Sequence, residues 1–213
     1  MSQPGFAADA AKLVARQLVV ERDGRRVIAG LDFAVEAGTA LVITGPNGVG
    51  KTTLIRAIAG FLPPTQGSIE LIGGDAEAGL NEQLHYVGHQ NAIKAALSVR
   101  ENVSFWAGYL GRSGKIDEAL ACFGLTALAD VPTAYLSAGQ KRRTALARLV
   151  AAQRAIWLLD EPTVALDAAS RDALVAASDA HLGQGGIIVA ATHMPIPFSE
   201  TRELDLSQTG MAA

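Results

Sequence analysis

The sequence predicts an α/β fold: a mostly parallel sheet, an antiparallel β part at its N-terminal end, and a helical lobe inserted into the core. Three observations predict it. Strand-like and helix-like segments alternate along most of the chain, as in the βα units that build parallel sheets. Two short runs, 40–43 and 187–191, are apolar at every position, as strands covered on both faces must be. From about residue 91 to 134 the β-branched runs give way to helical spacing.

Residues 1–11 are small and polar-to-neutral and are expected to form a loose end. Segments 13–20 and 31–36 read as strands, the second by alternation of apolar and polar positions. Segment 40–44 reads as a buried central strand that ends in a glycine-rich loop. A helix is expected over 52–59, closed by Gly60 and followed by Pro63-Pro64. Segments 68–72 and 84–87 are further strands. The lobe that follows carries a helix over 140–153, so about 91–153 forms a helical subdomain. A strand at 155–159, a helix near 170–182 and a strand at 187–191 complete the core. No internal repeat interrupts this order, and residues 1–213 are expected to form one domain.

Composition narrows the function classes. With 49% hydrophobic and 18% charged residues the chain is globular rather than disordered. A net charge of −3 gives no broad footprint for nucleic acid, so no nucleic-acid partner is expected. The basic cluster Lys141-Arg142-Arg143 is only local. Cys122 is the single cysteine, which precludes an internal disulfide and suits a small buried hydrophobe. No apolar stretch approaches the roughly 20 residues of a spanning helix, and no secretory h-region follows the start. A cytosolic chain, able to sit on a membrane partner, is expected.

Three motifs carry chemistry. Gly45-Pro46-Asn47-Gly48-Val49-Gly50-Lys51-Thr52, followed by Thr53, matches G-x-x-x-x-G-K-[ST] between a predicted strand and a predicted helix. Glycines there let backbone N–H groups face phosphate oxygens at a helix N-terminus. Lys51 reaches the β- and γ-phosphates, and the Thr52 hydroxyl suits Mg²⁺. At 156–161, four apolar residues lead into Asp160 and Glu161 at the strand's C-terminal end, the edge where open α/β sheets bind ligands. Asp160 suits the Mg²⁺ shell and Glu161 the attacking water. Leu136-Ser137-Ala138-Gly139-Gln140 precedes an amphipathic helix. Ser137 and Gln140 form a capping box, which explains part of the motif structurally; the same helix start is also an anion site.

The ordered set formed by the loop from Gly45 to Thr52, Gln90, Leu136 to Gln140, Asp160-Glu161, Ala165-Leu166-Asp167 and His193 resembles the ATP-binding-cassette ATPases. The resemblance runs from about Leu13 to Leu206. It implies a P-loop NTPase core of the cassette type, ATP as substrate with Mg²⁺, and a homodimer in the ATP-bound state. Ser137, Ala138, Gly139 and Gln140 of one copy would then face the site of the other, with Ser137 and Gly139 touching its γ-phosphate. Gln90 would sense Mg²⁺ and report to membrane subunits, His193 would contact the γ-phosphate, and Asp167 would lie at the dimer contact. The chain departs from that pattern at Ala138, at Val164, and around Val20-Glu21-Arg22-Asp23, where no aromatic offers itself to adenine. Arg22 either stacks on the base or is a solvated turn residue.

The run Tyr86-Val87-Gly88-His89-Gln90-Asn91-Ala92-Ile93-Lys94, with Glu101-Asn102-Val103 and Leu136 to Arg143, looks like the haem-exporter cassettes of bacterial cytochrome c maturation. That resemblance implies an ATPase on the cytoplasmic side of the inner membrane, attached to integral B- and C-type permease subunits. Hydrolysis would drive release of a haem-loaded chaperone. A coupling helix would dock near residues 90–94 and Phe105-Trp106, unless those aromatics belong to the lobe core. Alternatives are a soluble or other-cargo cassette ATPase and a non-hydrolysing nucleotide-binding regulator.

Overall fold

Each central strand divides its side chains between two cores. In β6 (Ile156–Asp160), Trp157 and Leu159 face one cluster and Ile156 and Leu158 the other. β7 (Ile187–Ala191) splits the same way, with Ile188 and Ala190 opposite Ile187, Val189 and Ala191. That division is why these strands carry no polar alternation. The computed structural model describes residues 11–110 and 114–207, so nearly all of the expected loose N-terminus lies outside the described residues.

β3 (Ala40–Thr44), β5 (Leu84–Val87), β6, β7 and β8 (Thr201–Asp205) form a parallel sheet in the order β5-β6-β7-β3-β8. β1 (Lys12–Arg22), β2 (Arg25–Glu36) and β4 (Gln66–Ile72) form a separate antiparallel sheet, ordered β2-β1-β4. α1 (Lys51–Ile58) lies between the two sheets and shares their core through Leu54, Ile55 and Ile58. On the other face, α2 (Val99–Tyr109), α3 (Ile116–Cys122) and α4 (Ala138–Ala151) pack together, and α5 (Ala168–Gly183) packs beside β7. The expected α/β class, with both sheet types and a helical lobe, is the observed one.

Three local differences have physical reasons. β2 begins at Arg25 rather than 31, because Asp23 (φ 52°) and Gly24 (φ 74°) make a two-residue hairpin turn that pairs Arg22 with Arg25. α4 starts at Ala138, not 140, because Ser137 is its N-cap: Ser137 Oγ accepts from Gln140 N at 3.2 Å and Gln140 Oε1 from Ser137 N at 2.9 Å. β8 was not expected at all. Its sequence, Thr-Arg-Glu-Leu-Asp, is polar and largely exposed, and backbone pairing with β3 at the sheet edge is what makes it a strand.

Candidate functional site

The turn between β3 and α1 is built by glycines. Gly50 caps α1 at φ 116°, and a Cβ there would come within 2.8 Å of Val27 Cγ1 on β2. Only glycine meets both demands, the left-handed backbone and the close approach. Gly45 and Gly48 also have positive φ, the backbone freedom that a phosphate loop at a helix N-terminus requires. Pro46, Asn47 and Gly48 are exposed at the rim, and Val49 is half-buried. Lys51 is only 7% exposed. Its Nζ donates to Gly45 O at 2.6 Å and to Pro46 O at 3.2 Å, so the ammonium is held over the loop. Thr53 is buried on the inner side of α1.

Thr52 points the other way, its Oγ1 donating to Asp160 Oδ1 at 3.1 Å. Asp160 ends β6 and is buried, and burial raises its carboxyl above the ordinary range against the Thr52 hydrogen bond, which lowers it. Together they present hard oxygen donors of the kind a small divalent cation takes. Among the described residues no three His, Cys, Asp or Glu side chains converge as a metal cage.

Glu161 follows directly, with a left-handed backbone (φ 49°), and its N–H donates to Ala191 O at 2.8 Å. Its carboxylate Oε2 lies 2.8 Å from His193 Nδ1. His193 is presented by a tight turn in which Thr192 Oγ1 donates to Met194 O (2.9 Å) and accepts from Met194 N (3.1 Å). β6 and β7 are neighbours, so the acid and the histidine leave the same sheet edge side by side. Lys51, Thr52, Asp160, Glu161 and His193 thus come together at the C-terminal edge of the parallel sheet.

The remaining expected residues lie in other surroundings. Ser137 and Ala138 are exposed, and Gly139 is half-buried against Ala165: a Cβ on Gly139 would come within 2.8 Å of Ala165 O. Asp167 caps α5, accepting from Ser170 N at 2.9 Å, and these bonds hold its carboxyl below the usual range. Gln90 and His89 are exposed on the loop after β5. Arg22 lies at the hairpin tip with its Nε 3.5 Å from Asp23 Oδ2. Trp106 packs within the lobe beneath the Arg148 guanidinium (4.5 Å) and donates to Ala92 O, whereas Phe105 is 41% exposed with Lys94 over its ring.

Sequence reasoning took Arg142 only as one of the local basic cluster Lys141-Arg142-Arg143 and gave it no separate role. It lies in the i, i+3, i+4, i+7 stripe of α4 with Ala145, Leu146 and Leu149, all buried. An arginine in an otherwise apolar stripe was the available signal.

Residues 28–164 match the family described as ABC transporter. The "Cytochrome c biogenesis ATP-binding export protein CcmA" of Nitrobacter winogradskyi is 55% identical over 185 residues, covering 86% of this chain and 92% of that protein. The protein of the same description from Nitrobacter hamburgensis is 52% identical over 203 residues, covering 93% and 99%. The solved ATP-binding subunit of an ABC transporter superposes with a TM-score of 0.79, covering 85% of this chain and 79% of that one. At 24% identity that likeness speaks for the fold.

Proposed function

Because the chain belongs to the ABC transporter family and, within it, to the cytochrome c biogenesis ATP-binding export proteins, we propose that ATP hydrolysis at its sheet edge powers the haem-handling export system of cytochrome c maturation. The observation that carries this reading is the joining of Thr52 to Asp160 and of Glu161 to His193 at one edge. Those two contacts support a reading in which a phosphate loop, a cation site and a water-handling acid work together.

In this reading residues 1–213 are a single nucleotide-binding domain, with 91–153 as its helical subdomain. The loop of Gly45, Pro46, Asn47, Gly48, Val49, Gly50, Lys51, Thr52 and Thr53 surrounds the β- and γ-phosphates, its N–H groups donating at every position but Pro46, and Lys51 offsets their charge. Thr52, Asp160 and Gln90 would hold Mg²⁺. The cation, when bound, neutralises charge on the phosphate oxygens. Glu161 orients the water and accepts its proton as the water oxygen bonds to the γ-phosphorus and the bond to the ADP oxygen breaks. His193 steadies Glu161 through Nδ1 and presents Nε2 toward the γ-phosphate. Ser137, Ala138, Gly139 and Gln140 of a second copy close the site, with Asp167 at the contact between copies.

Among the described residues no helix is long and apolar enough to cross a membrane. In this reading B- and C-type integral subunits make the crossing, with this chain on the cytoplasmic side of the inner membrane. Capture of the tagged chain from solubilised membranes tests it. Haem-handling integral subunits should accompany the chain, and the captured complex should release phosphate over many turnovers. A chain that captures no integral subunit, or a complex that binds ATP without turnover, would overturn the reading.

The cation site has its own test. Asp160→Asn should raise the Mg²⁺ concentration for half-maximal hydrolysis tenfold or more, since a neutral amide is a poorer ligand for a hard cation. An unchanged Mg²⁺ titration would remove Asp160 from the shell.

A further inference from the structure

Arg142 is 3% exposed, and all five of its guanidinium N–H groups have an oxygen to bond. Nε donates to Pro162 O (3.2 Å), and Nη2 donates to Asp160 O (3.1 Å) and Glu161 O (2.8 Å). Nη1 donates to Gly88 O (2.7 Å) and to Asn91 Oδ1 (3.2 Å). The partners come from two segments. One is the turn that carries Asp160 and Glu161; the other brackets His89 and Gln90. The guanidinium itself is mounted on α4, one turn in from Ser137 and Gly139.

Glu161 is the key to this geometry. A glutamate at φ 49° occupies a backbone region that L-residues with a full side chain avoid. That inversion brings three successive carbonyls, of Asp160, Glu161 and Pro162, onto one guanidinium. Such conformations persist only where the surroundings over-determine them. Here the surroundings are the Glu161 N–H bond to Ala191 O on one side and Arg142 on the other. Helix packing alone does not require this, because an apolar side chain at position 142 would continue the buried stripe at less desolvation cost.

We infer that Arg142 is a positioning residue for hydrolysis: its fork holds the inverted Glu161 turn, and thereby the carboxylate beside His193, in register with the Gln90 loop and the start of α4. The inference rests on the reading that Glu161 handles the attacking water. A planar fork with five donors is required, which an ammonium with three donors on a flexible stem does not reproduce.

The test uses the full chain in its membrane complex, with Arg142→Lys, Arg142→Gln and Arg142→Ala. ATP affinity, kcat and melting temperature are measured for each, and hydrolysis by Arg142→Ala is repeated with added guanidinium chloride at tens of millimolar. The expected result is ATP affinity within about threefold of the unsubstituted chain and kcat down tenfold or more in both Lys and Gln variants. Guanidinium should restore part of the Arg142→Ala rate. Unchanged kcat in a folded variant overturns the inference. So does loss of ATP binding in step with kcat, or loss of folding in all three, either of which makes Arg142 a structural strut only. Failure of the underlying reading would show separately, as an unsubstituted complex that does not hydrolyse ATP or a Glu161→Gln complex that hydrolyses it at full rate.

Discussion

Glu161→Gln is expected to lower ATP turnover by about 10²–10⁴-fold, the range associated with losing a positioned general base, while ATP remains bound. The substitution keeps the side chain's size and an oxygen for His193 Nδ1, which lies 2.8 Å from the carboxylate. It removes the proton acceptor and the negative charge. Binding should survive because phosphate recognition lies elsewhere, in the loop from Gly45 to Thr53 and in Lys51. ATP held without hydrolysis should then keep two copies closed on each other, so sizing with ATP and Mg²⁺ should show a dimer that reverts to monomer when nucleotide is removed. Two results would sink this account. Turnover near that of the unsubstituted chain would remove Glu161 from the chemistry. A monomer at saturating ATP would remove Ser137 and Gly139 of a second copy from the site.

Much of this site was legible because its chemistry demands local patterns. A phosphate loop needs glycines at fixed offsets before a helix, and the offsets at Gly45, Gly48 and Gly50 coincide with the positive-φ positions. The acidic pair stood out because two carboxylates end an otherwise apolar strand. Central strands were legible for the same reason, and β3, β5 and β7 have the expected limits. What escaped was whatever depended on partners distant in the chain. β8 is polar and becomes a strand only through β3, whose backbone it pairs. The approach of Val27 to Gly50 depends on how two segments distant in the chain meet. Arg142 reads as one member of a local basic cluster until the fold brings carbonyls from 54 and 18 residues away onto its guanidinium.

The fold should also be acid-labile in a window well above ordinary carboxylate titration. His85, on β5, is 3% exposed, and burial first, then the Arg148 charge, lowers its pKa from 6.5 to about 3. His181, on α5, is 6% exposed and stacks on Trp157 at 4.0 Å; burial lowers its pKa to about 4. Both stay neutral in the native state while an unfolded chain takes up protons below about pH 6.5. The stability they carry is therefore intact above pH 6.5 and drains away as pH falls toward 4. Each drains about 1.4 kcal/mol per pH unit. At pH 5 the two together account for a loss of about 4 kcal/mol, a large part of the roughly 5–15 kcal/mol that holds an ordinary domain folded. Asp160 cannot supply this loss, because a carboxyl raised by burial favours the folded state as pH falls. Asp167, held low, contributes only nearer the carboxylate range. Denaturant titrations at pH 7 and pH 5 measure the difference directly. His181→Phe keeps a ring against Trp157 but cannot titrate, so its loss between the two pH values should be about half that of the unsubstituted chain, whatever the substitution costs at pH 7. An equal loss in both chains would mean that His181 takes up its proton without unfolding.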